Sequence, residues 1–358
     1  MKEVFMKDLS LGFYAFDHAA GDALRIVAEE AKSRGHHTVN PQKQMPVSDE
    51  GMAALIMCDA VVLGLSSFQT EMEINLLKAL PKATRVFILE DVPEAARRPK
   101  FREYVNRVVL VFSAHDLYRS SIHDFGYDGS VYLGPPPQWR AEYEGVMAAK
   151  TGNARSEIGS FNYGGDSYVL DSSVKIVGTI LGKDPIENNR ILVILAEAIR
   201  GNNILLAISQ HPGEKATKPE DEEKFQKAFA ERKEILKGVW LFDSGWKGSK
   251  LAGAVDVLFS GSASNITIAS AYARVPQVWL NDKGVRERMR AQTGKETWFV
   301  PALGGALVSF GGDLKKVINT ALSEGGRTYL LNKQEQNFPL PDDWHTEKKI
   351  VDFLEKIV

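Results

Sequence analysis

The chain has 358 residues, more than a single hydrophobic core usually holds, and its 44% hydrophobic and 25% charged residues are typical of a globular protein. The formal net charge of -2, from 44 basic and 46 acidic residues, excludes a broad positive field for a nucleic acid or an anionic membrane. The single cysteine, Cys58, excludes an internal disulfide or a thiolate metal cluster. The N-terminus lacks the pattern of a secretory signal, and no run approaches the roughly 20 apolar residues of a membrane span. We therefore expect a cytoplasmic protein of two domains.

The first half alternates predicted strands with predicted helices. The run "LGFYAF" (11–16) predicts a strand, and Leu24, Val27 and Ala28 recur at helical spacing before the helix stop "RGHH". Further strands are predicted at 59–67, 85–91, 107–114 and 130–134. Their continuous Val, Ile and Leu residues are typical of a parallel sheet that is buried on both faces.

A second α/β series follows a break. The three prolines of "GPPPQW" (134–139) interrupt the pattern, and "SFNYGGDS" (160–167) predicts a loop. Strands are then predicted at 174–182, 203–211, 238–245, 256–262, 277–282 and 297–303. We expect an α/β protein of two Rossmann-like parallel-sheet domains that face each other across a cleft. The predicted domains are 1–150 and 165–335, with a C-terminal helix in 336–358 that packs back toward the N-terminal domain.

One histidine follows a predicted strand of the second half. His211 ends the run "NILLAISQH", and Pro212 after it restricts it to extended backbone. Open parallel sheets bind ligands at the carboxyl ends of their strands. An imidazole there can donate to a phosphate oxygen or protonate a leaving phosphate, and an ordinary loop histidine is the alternative.

A second strand exit carries small and hydroxyl residues. Ser260, Gly261, Ser262 and Ser264 follow "DVLF" and offer hydroxyls and accessible backbone N–H groups where a helix begins. This pattern predicts a phosphate-binding loop without the lysine of the Walker motif. A serine-capped helix is the alternative.

These residues lead to a family resemblance. The whole chain resembles the two-domain GT-B glycosyltransferases and the related nucleotide-sugar 2-epimerases, because 21–39 is similar to their first helix and 256–279 to their donor-diphosphate segment. His211-Pro212 is similar to the HP motif of bacterial sialyltransferases, and "FDHAAGDAL" (16–24) to an acceptor-side loop of lipid A disaccharide synthases. The resemblance implies a GT-B fold and a nucleotide-sugar donor.

Two features depart from the family pattern. Many members bind the donor ribose with a glutamate early in the helix after the donor loop, whereas this chain has Asn265-Ile266-Thr267. The sialyltransferase pattern places glycine after two acids, whereas here Val92 follows them. The missing glutamate favours an unusual donor or a silent protein, and the paired acids favour an enzyme.

Four residues of the first half are candidates for acid–base catalysis. An inverting transfer needs one carboxylate or histidine to take the acceptor proton. Asp17 and His18 follow the first predicted strand, and Glu90 and Asp91 end the strand predicted at 85–91. Asp17 is the favoured base, because the small residues beside it leave room for an acceptor. Helix capping or a solvated loop is the alternative for each of them.

Further donor-binding residues follow from the resemblance. Gly182 and Lys183 lie in a loop similar to the one after the first strand of a GT-B C-terminal domain, where the lysine can pair with phosphate. Phe242 and Asp243 would frame a nucleobase. Asp282 can reach sugar hydroxyls or form a turn. The alternating charges of 222–237, in contrast, predict a helix with a solvated face.

The leading hypothesis is a GT-B glycosyltransferase that moves a sugar from a nucleotide-activated donor to a hydroxyl acceptor. No tightly bound cofactor is expected, and the scattered histidines predict no metal site. A nucleotide-sugar epimerase or hydrolase is one alternative, and a catalytically silent nucleotide-binding protein on the same scaffold is another. The expected partners are the donor and the acceptor, with no nucleic acid and no membrane span.

Overall fold

The structure is a computed structural model that describes residues 8–39, 48–66, 71–163, 166–211, 214, 219–243 and 245–358. The chain forms two compact units. Unit 1 comprises Met1–Arg140 and Pro341–Val358, and unit 2 comprises Ala141–Leu340. No helix in the described ranges combines the length and the apolar character that crossing a bilayer requires.

Unit 1 contains a parallel sheet flanked by helices. Its strands are β1 (Ser10–Tyr14), β2 (His37–Val39), β3 (Ala60–Leu65), β4 (Arg85–Glu90), β5 (Val108–Phe112) and β6 (Ser130–Val131). Its helices are α1 (His18–Ser33), α2 (Asp49–Ile56), α3 (Met72–Ala79), α4 (Arg119–Phe125) and, at the end of the chain, α15 (Thr346–Ile357), with 3-10 turns at Ala95–Arg97, Pro99–Arg107 and Asp116–Tyr118. Helix α5 (Gln138–Thr151) contains the division between the units.

The strand order of unit 1 is β2-β1-β3-β4-β5-β6, and each neighbouring pair is parallel. The order reverses between β1 and β3, because β2 lies on one side of β1 and all later strands lie on the other. Such a reversal is the point at which open α/β sheets bind ligands.

The core of unit 1 joins the sheet to α1 and α15. Leu24 and Val27 of α1 are buried in one cluster with Ile350 and Leu354 of α15. A side chain at Gly64 of β3 would approach Ala15 and Ala20 to about 3 Å, so glycine allows the start of α1 to lie close to the sheet. Burial of each large apolar side chain stabilises the fold by about 1.5–3 kcal/mol.

Unit 2 contains the second sheet. Its strands are β7 (Ser160–Tyr163), β8 (Asp166–Val169), β9 (Lys175–Ile180), β10 (Ile204–Ser209), β11 (Trp240–Asp243), β12 (Val257–Ser260), β13 (Gln277–Leu280) and β14 (Leu307–Ser309). Its helices are α6 (Ala154–Glu157), α7 (Pro185–Ile199), α8 (Pro219–Ile235), α9 (Gly248–Ala254), α10 (Asn265–Tyr272), α11 (Lys283–Thr293), α12 (Phe299–Ala302), α13 (Leu314–Leu322) and α14 (Glu324–Asn337).

The strand order of unit 2 is β14-β13-β12-β9-β10-β11-β7-β8. The six strands from β14 to β11 are parallel, and the first of them in the chain, β9, lies between β10 and β12. This is the Rossmann order, and its reversal falls between β9 and β12.

Two predictions about secondary structure are wrong. The predicted loop at 160–167 contains β7 and the start of β8, which pair antiparallel, and Phe161 stacks on Trp240 with ring centroids 4.8 Å apart. The predicted strand at 297–303 contains helix α12 instead, and the strand of this segment is β14. Pro301 suits the first turn of a helix, where its missing N–H has no intrahelical partner to lose, whereas it would break a ladder. The other predicted strands are confirmed, with shorter ends.

Candidate functional site

The predicted donor-binding residues of unit 2 all lie at one edge of its sheet, at the carboxyl ends of parallel strands. Gly182 and Lys183 follow β9, His211 follows β10, Phe242 and Asp243 end β11, Ser260, Gly261, Ser262 and Ser264 end or follow β12, and Asp282 follows β13. The loops after β9 and β12 flank the reversal of strand order. The structure thus brings these residues to the edge at which a Rossmann-like sheet binds its ligand.

The loop after β12 is organised by its own hydroxyls. The Ser260 hydroxyl donates to the Ser262 carbonyl at 3.0 Å, and Ser264 caps α10 by accepting the N–H of Ile266 at 3.2 Å. Ser260 is buried, whereas Ser262 and Ser264 are half-buried. The Ser262 hydroxyl makes no hydrogen bond with the residues that the structure describes. It is therefore the hydroxyl of this loop that remains available to a ligand.

A buried ion pair connects the loops after β9 and β10. Glu214 pairs with Arg232 of α8 and accepts a hydrogen bond from Asn188 Nδ2 at 2.8 Å. Asn188 also bonds both main-chain groups of Gly182, at 2.8 and 2.9 Å. The Glu214 N–H donates to the His211 carbonyl at 2.9 Å. Glu214 thus holds the positions of Gly182 and His211 together.

His211 lies in a positive environment. Burial lowers the pKa of its imidazole below the ordinary value of 6.5, and Lys183 lowers it further, while Glu214 acts in the opposite direction. The neutral ring is therefore favoured, and a neutral imidazole still has one N–H to donate to a phosphate oxygen. Pro212, the other half of the predicted HP motif, lies outside the described residues.

The remaining carboxylates of this edge have protein partners. Asp243 accepts a hydrogen bond from Gln210 Nε2 at 2.9 Å. Asp282 caps α11 by accepting the N–H of Val285 at 2.8 Å, and it pairs with Arg190 of α7. The Phe242 ring packs edge-on against Trp246, with centroids 5.1 Å apart. Phe242 and Trp246 together provide an aromatic surface beside the loop after β10.

In unit 1, the predicted acid–base residues lie at the carboxyl ends of β1 and β4. Asp17 takes the N-cap position of α1, but its side chain makes no capping hydrogen bond. The Asp17 side chain is half-buried and makes no hydrogen bond with any residue of the described part of the chain, and His18 is exposed. Because β1 borders the reversal of strand order, Asp17 has both the position and the free oxygens of a ligand-binding carboxylate.

Glu90 is held inside unit 1 by main-chain donors. Its carboxylate accepts the N–H of Ala96 at 2.8 Å, the N–H of Ala114 at 3.3 Å and the Ser113 hydroxyl at 3.3 Å. These bonds connect β4 to the loops after β4 and β5. A fully buried carboxylate with these partners stabilises the strand ends, and its catalytic role stays a prediction.

Asp91 is fully buried beside Glu90. Burial raises the pKa of its carboxyl well above the ordinary value of 3.8, the charges of Asp17 and Glu90 raise it further, and Arg98 lowers it. Asp91 Oδ1 is buried without a hydrogen-bond partner among the described residues. The protonated form is favoured, because an ionised carboxylate here would lack both solvent and sufficient donors.

Two charged residues of this region were not predicted from the sequence. Arg98 donates to Glu73 Oε2 at 3.2 Å and to the Ser66 carbonyl, at the end of β3, at 3.1 Å. Glu73 accepts the N–H of Phe16 at 3.4 Å, which connects α3 to the residue before Asp17. Glu73 also contributes, after burial, to raising the pKa of Tyr14 to about 12. No periodic signal distinguishes Glu73 or Arg98 from exposed residues, because their partners are distant in sequence.

Replacement of Asp91 by asparagine is expected to raise the stability of the protein most at high pH. The folded state keeps the Asp91 proton at pH values where the unfolded state, with a pKa near 3.8, releases it. The stabilisation of the folded state by this bound proton is complete below the pKa of Asp91 in the unfolded state. It is lost as the pH rises through the pKa of Asp91 in the folded state. Asparagine cannot ionise, so urea denaturation from about pH 5 to about pH 9 should show a growing advantage of Asp91→Asn.

Asp124→Asn, an exposed position in α4, is the matched control and should show no such trend. If the difference in unfolding free energy between Asp91→Asn and the wild type does not grow with pH, Asp91 is not protonated in the folded protein.

The chain is similar over nearly its whole length to solved structures. MurG of Acinetobacter baumannii matches with a TM-score of 0.55 at 12% identity, over 98% of this chain and 100% of that chain. A glycosyltransferase from Rickettsia africae matches with a TM-score of 0.55 at 11% identity, over 98% of each chain. HepE of Anabaena, solved in complex with UDP-glucose, matches with a TM-score of 0.54 at 11% identity, over 98% of this chain and 100% of that chain. No protein-family model and no curated protein matches the sequence.

Each unit has a parallel sheet with one reversal of strand order, so the chain is a protein of two Rossmann-like domains. The likeness to the solved structures extends through both of them. The chain has the GT-B fold of glycosyltransferases, and the predicted fold class of two Rossmann-like domains is confirmed.

Proposed function

We propose that the protein is a glycosyltransferase that moves a sugar from a nucleotide-activated donor to a hydroxyl acceptor without a tightly held metal. The observation that carries this proposal is that Lys183, His211 and Ser262 follow β9, β10 and β12, which are neighbouring parallel strands, at the same edge of the unit 2 sheet. The fold that this chain shares with a UDP-glucose complex of HepE supports the same conclusion.

Unit 2 holds the donor in this proposal. The N–H of His211, the Ser262 hydroxyl and the Asn265 N–H at the start of α10 donate to the diphosphate, and the Lys183 ammonium neutralises part of its charge. Phe242 and Trp246 offer apolar surface to the base. These groups become more important as the sugar leaves, because the bond to the diphosphate breaks and negative charge develops on its oxygen.

Unit 1 supplies the base. The acceptor oxygen forms a bond to the anomeric carbon while Asp17 takes the proton of the acceptor hydroxyl, and the nucleotide diphosphate leaves with the electrons of the broken bond. Asp17 is the candidate because its carboxylate is accessible and uncommitted, whereas Glu90 and Asp91 are fully buried.

One observation favours a second function, a catalytically silent nucleotide-binding protein. The first turn of α10 contains no acidic residue, so the ribose contact that many GT-B enzymes make there is missing. A silent protein would keep nucleotide binding and lack turnover with every donor and acceptor pair.

The proposal is tested first by binding. A thermal-shift screen with UDP-, GDP-, CMP- and dTDP-linked sugars should identify a responding donor, since a ligand that binds only the native state raises its stability. His211→Ala and Ser262→Ala should each weaken binding of that donor by about 1–3 kcal/mol, the contribution of a hydrogen bond to a charged group. Calorimetry measures the change.

Matched controls separate this loss from general damage. His123→Ala in α4 and Ser156→Ala in α6 remove the same side chains at exposed positions and should leave the affinity unchanged. Equal donor affinity in His211→Ala, Ser262→Ala and the wild type would show that neither residue contacts phosphate. A screen in which no sugar nucleotide responds contradicts the proposed function.

A further inference from the structure

A pocket lies at the edge of the unit 2 sheet opposite the donor-binding candidates. It has a volume of about 180 Å³, and its charged lining residues are Lys150, Arg155, Asp256, Arg274 and Arg327. We call these five residues and the cavity between them the basic pocket. Asp256 immediately precedes β12, so the pocket lies at the amino ends of the strands, whereas the donor-binding candidates lie at their carboxyl ends.

The distance between the two edges makes the basic pocket a separate site. The four residues of β12 separate Asp256 from Gly261. A strand rises about 3.3 Å per residue, so the edges are more than about 13 Å apart. A ligand in the basic pocket would therefore not be part of the donor that we place at the other edge.

Two cations of the basic pocket are held by neutral carbonyls. Lys150 Nζ donates to the carbonyls of Ala273 at 2.9 Å and Arg274 at 3.2 Å. Arg274 Nη1 donates to the carbonyls of Ala271, Tyr272 and Phe338 at 3.0 to 3.1 Å. These bonds fix the positions of both cations at the C-terminal end of α10. Within the described part of the chain, neither cation is hydrogen-bonded to a carboxylate.

The other two cations differ from each other. Arg155 pairs with Asp256 at 2.6 Å, and Asp256 also accepts the N–H of Ile176 at 2.8 Å. Arg327 of α14 is exposed and makes no ion pair with the residues that the structure describes. The lining thus contains four cations and one carboxylate, and that carboxylate is already bonded to Arg155.

The cations of the basic pocket repel one another. Burial lowers the pKa of Lys150, and the nearby Arg327 and Arg274 lower it further. Burial also lowers the pKa of Arg274, although the charges of Glu335, Tyr143 and Tyr272 act in the opposite direction. Arg274 has a positive φ of 56°, a backbone conformation that an arginine adopts at a cost. An anion in the pocket would offset the repulsion.

We propose that the basic pocket binds the phosphate group of a small ligand, either inorganic phosphate or a phosphomonoester. A phosphate dianion matches the excess of positive charge better than a single carboxylate does. The planar guanidinium group of Arg327 suits its oxygens, because arginine can donate two parallel hydrogen bonds to phosphate. Arg155 and Arg274 contribute positive charge, since they already donate to Asp256 and to main-chain carbonyls. A volume of about 180 Å³ suits a small phosphorylated ligand.

The test uses the full chain with sodium phosphate and glycerol 3-phosphate, measured by thermal shift and calorimetry. Sodium chloride and sodium acetate at equal ionic strength are the comparison salts. Phosphate should raise the melting temperature more than either comparison salt does. Tighter binding of glycerol 3-phosphate than of phosphate identifies a phosphomonoester ligand, and equal binding identifies free phosphate.

Variants locate the binding. Arg327→Gln should lower the phosphate affinity about tenfold or more, the effect of one charge-assisted hydrogen bond. The variant should fold normally, because Arg327 makes no ion pair with the residues that the structure describes. Arg290→Gln, an exposed arginine of α11 in the same unit, is the matched control. Ser262→Ala reports on phosphate that binds at the loop after β12, so a loss confined to Arg327→Gln places the phosphate in the basic pocket.

Two results would overturn the proposal. One is a phosphate effect no larger than that of acetate, and the other is a loss of phosphate binding in Ser262→Ala rather than in Arg327→Gln. The second result would place phosphate at the loop after β12. The first result leaves the sugar-nucleotide screen unaffected, and the second would favour the donor loop over the basic pocket, so failure of this proposal is distinguishable from failure of the proposed function.

Discussion

Replacing Asp17 by asparagine is expected to lower the rate of sugar transfer about a hundredfold or more, while donor affinity changes little. The amide keeps the size of the side chain but cannot take the proton of the acceptor hydroxyl. Because the Asp17 side chain makes no hydrogen bond within the described part of the chain, the replacement removes no internal hydrogen bond of the fold. The measurement is the single-turnover rate with the donor found in the screen, together with the Kd for that donor.

Asp91→Asn is the control for this experiment. The buried carboxyl of Asp91 favours its protonated form, so an amide should preserve most of the rate. If Asp91→Asn abolishes turnover and Asp17→Asn does not, the base lies at the exit of β4. If neither replacement changes an established turnover, no carboxylate of this pair is the base.

Arg232→Met is expected to lower the free energy of unfolding by about 3–5 kcal/mol, the cost of leaving one partner of a buried ion pair without its counterion. The uncompensated partner is Glu214, which is buried. Glu214 also holds the loops that contain Gly182 and His211, so the same variant should weaken donor binding. Urea denaturation and calorimetry measure the two effects.

Two comparisons separate the ion pair from loss of packing. The double variant Arg232→Met with Glu214→Gln removes both charges and should recover part of the lost stability, because no buried charge remains. Arg290→Met breaks an exposed pair with Glu296 and should cost no more than about 1 kcal/mol. A loss in Arg232→Met as small as in Arg290→Met would mean that the Glu214–Arg232 pair contributes no more to stability than an exposed pair does.

The sequence predicts the strands of both sheets well, because each parallel strand is a continuous apolar run. It also predicts which residues reach the ligand-binding edge of unit 2, since every residue after a parallel strand lies at the same edge. The sequence-based prediction is wrong at 297–303, where the apolar residues around Pro301 have the pattern of a strand but form α12. It is also wrong at 160–167, where glycines between aromatic residues have the pattern of a loop.

The partners inside the candidate site are harder to predict. The alternating charges of 222–237 predict a solvated helix face, yet Arg232 in that helix is buried. Its partner, Glu214, is 18 residues away in the sequence, and the partner of Arg98 is 25 residues away. Local sequence periodicity cannot predict such pairs, because only the folded sheet brings their elements together.

Because α15 follows unit 2 in the sequence, the core of unit 1 is completed only after unit 2 has been synthesised. Ile350, Val351 and Leu354 belong to the same core as α1, yet they are synthesised after the whole of unit 2. Unit 2 is continuous in the sequence and can close while unit 1 still lacks these side chains. Until these residues are synthesised, part of the apolar face of α1 lacks its cover, and exposed hydrophobic surface of this kind makes an incomplete unit prone to aggregation.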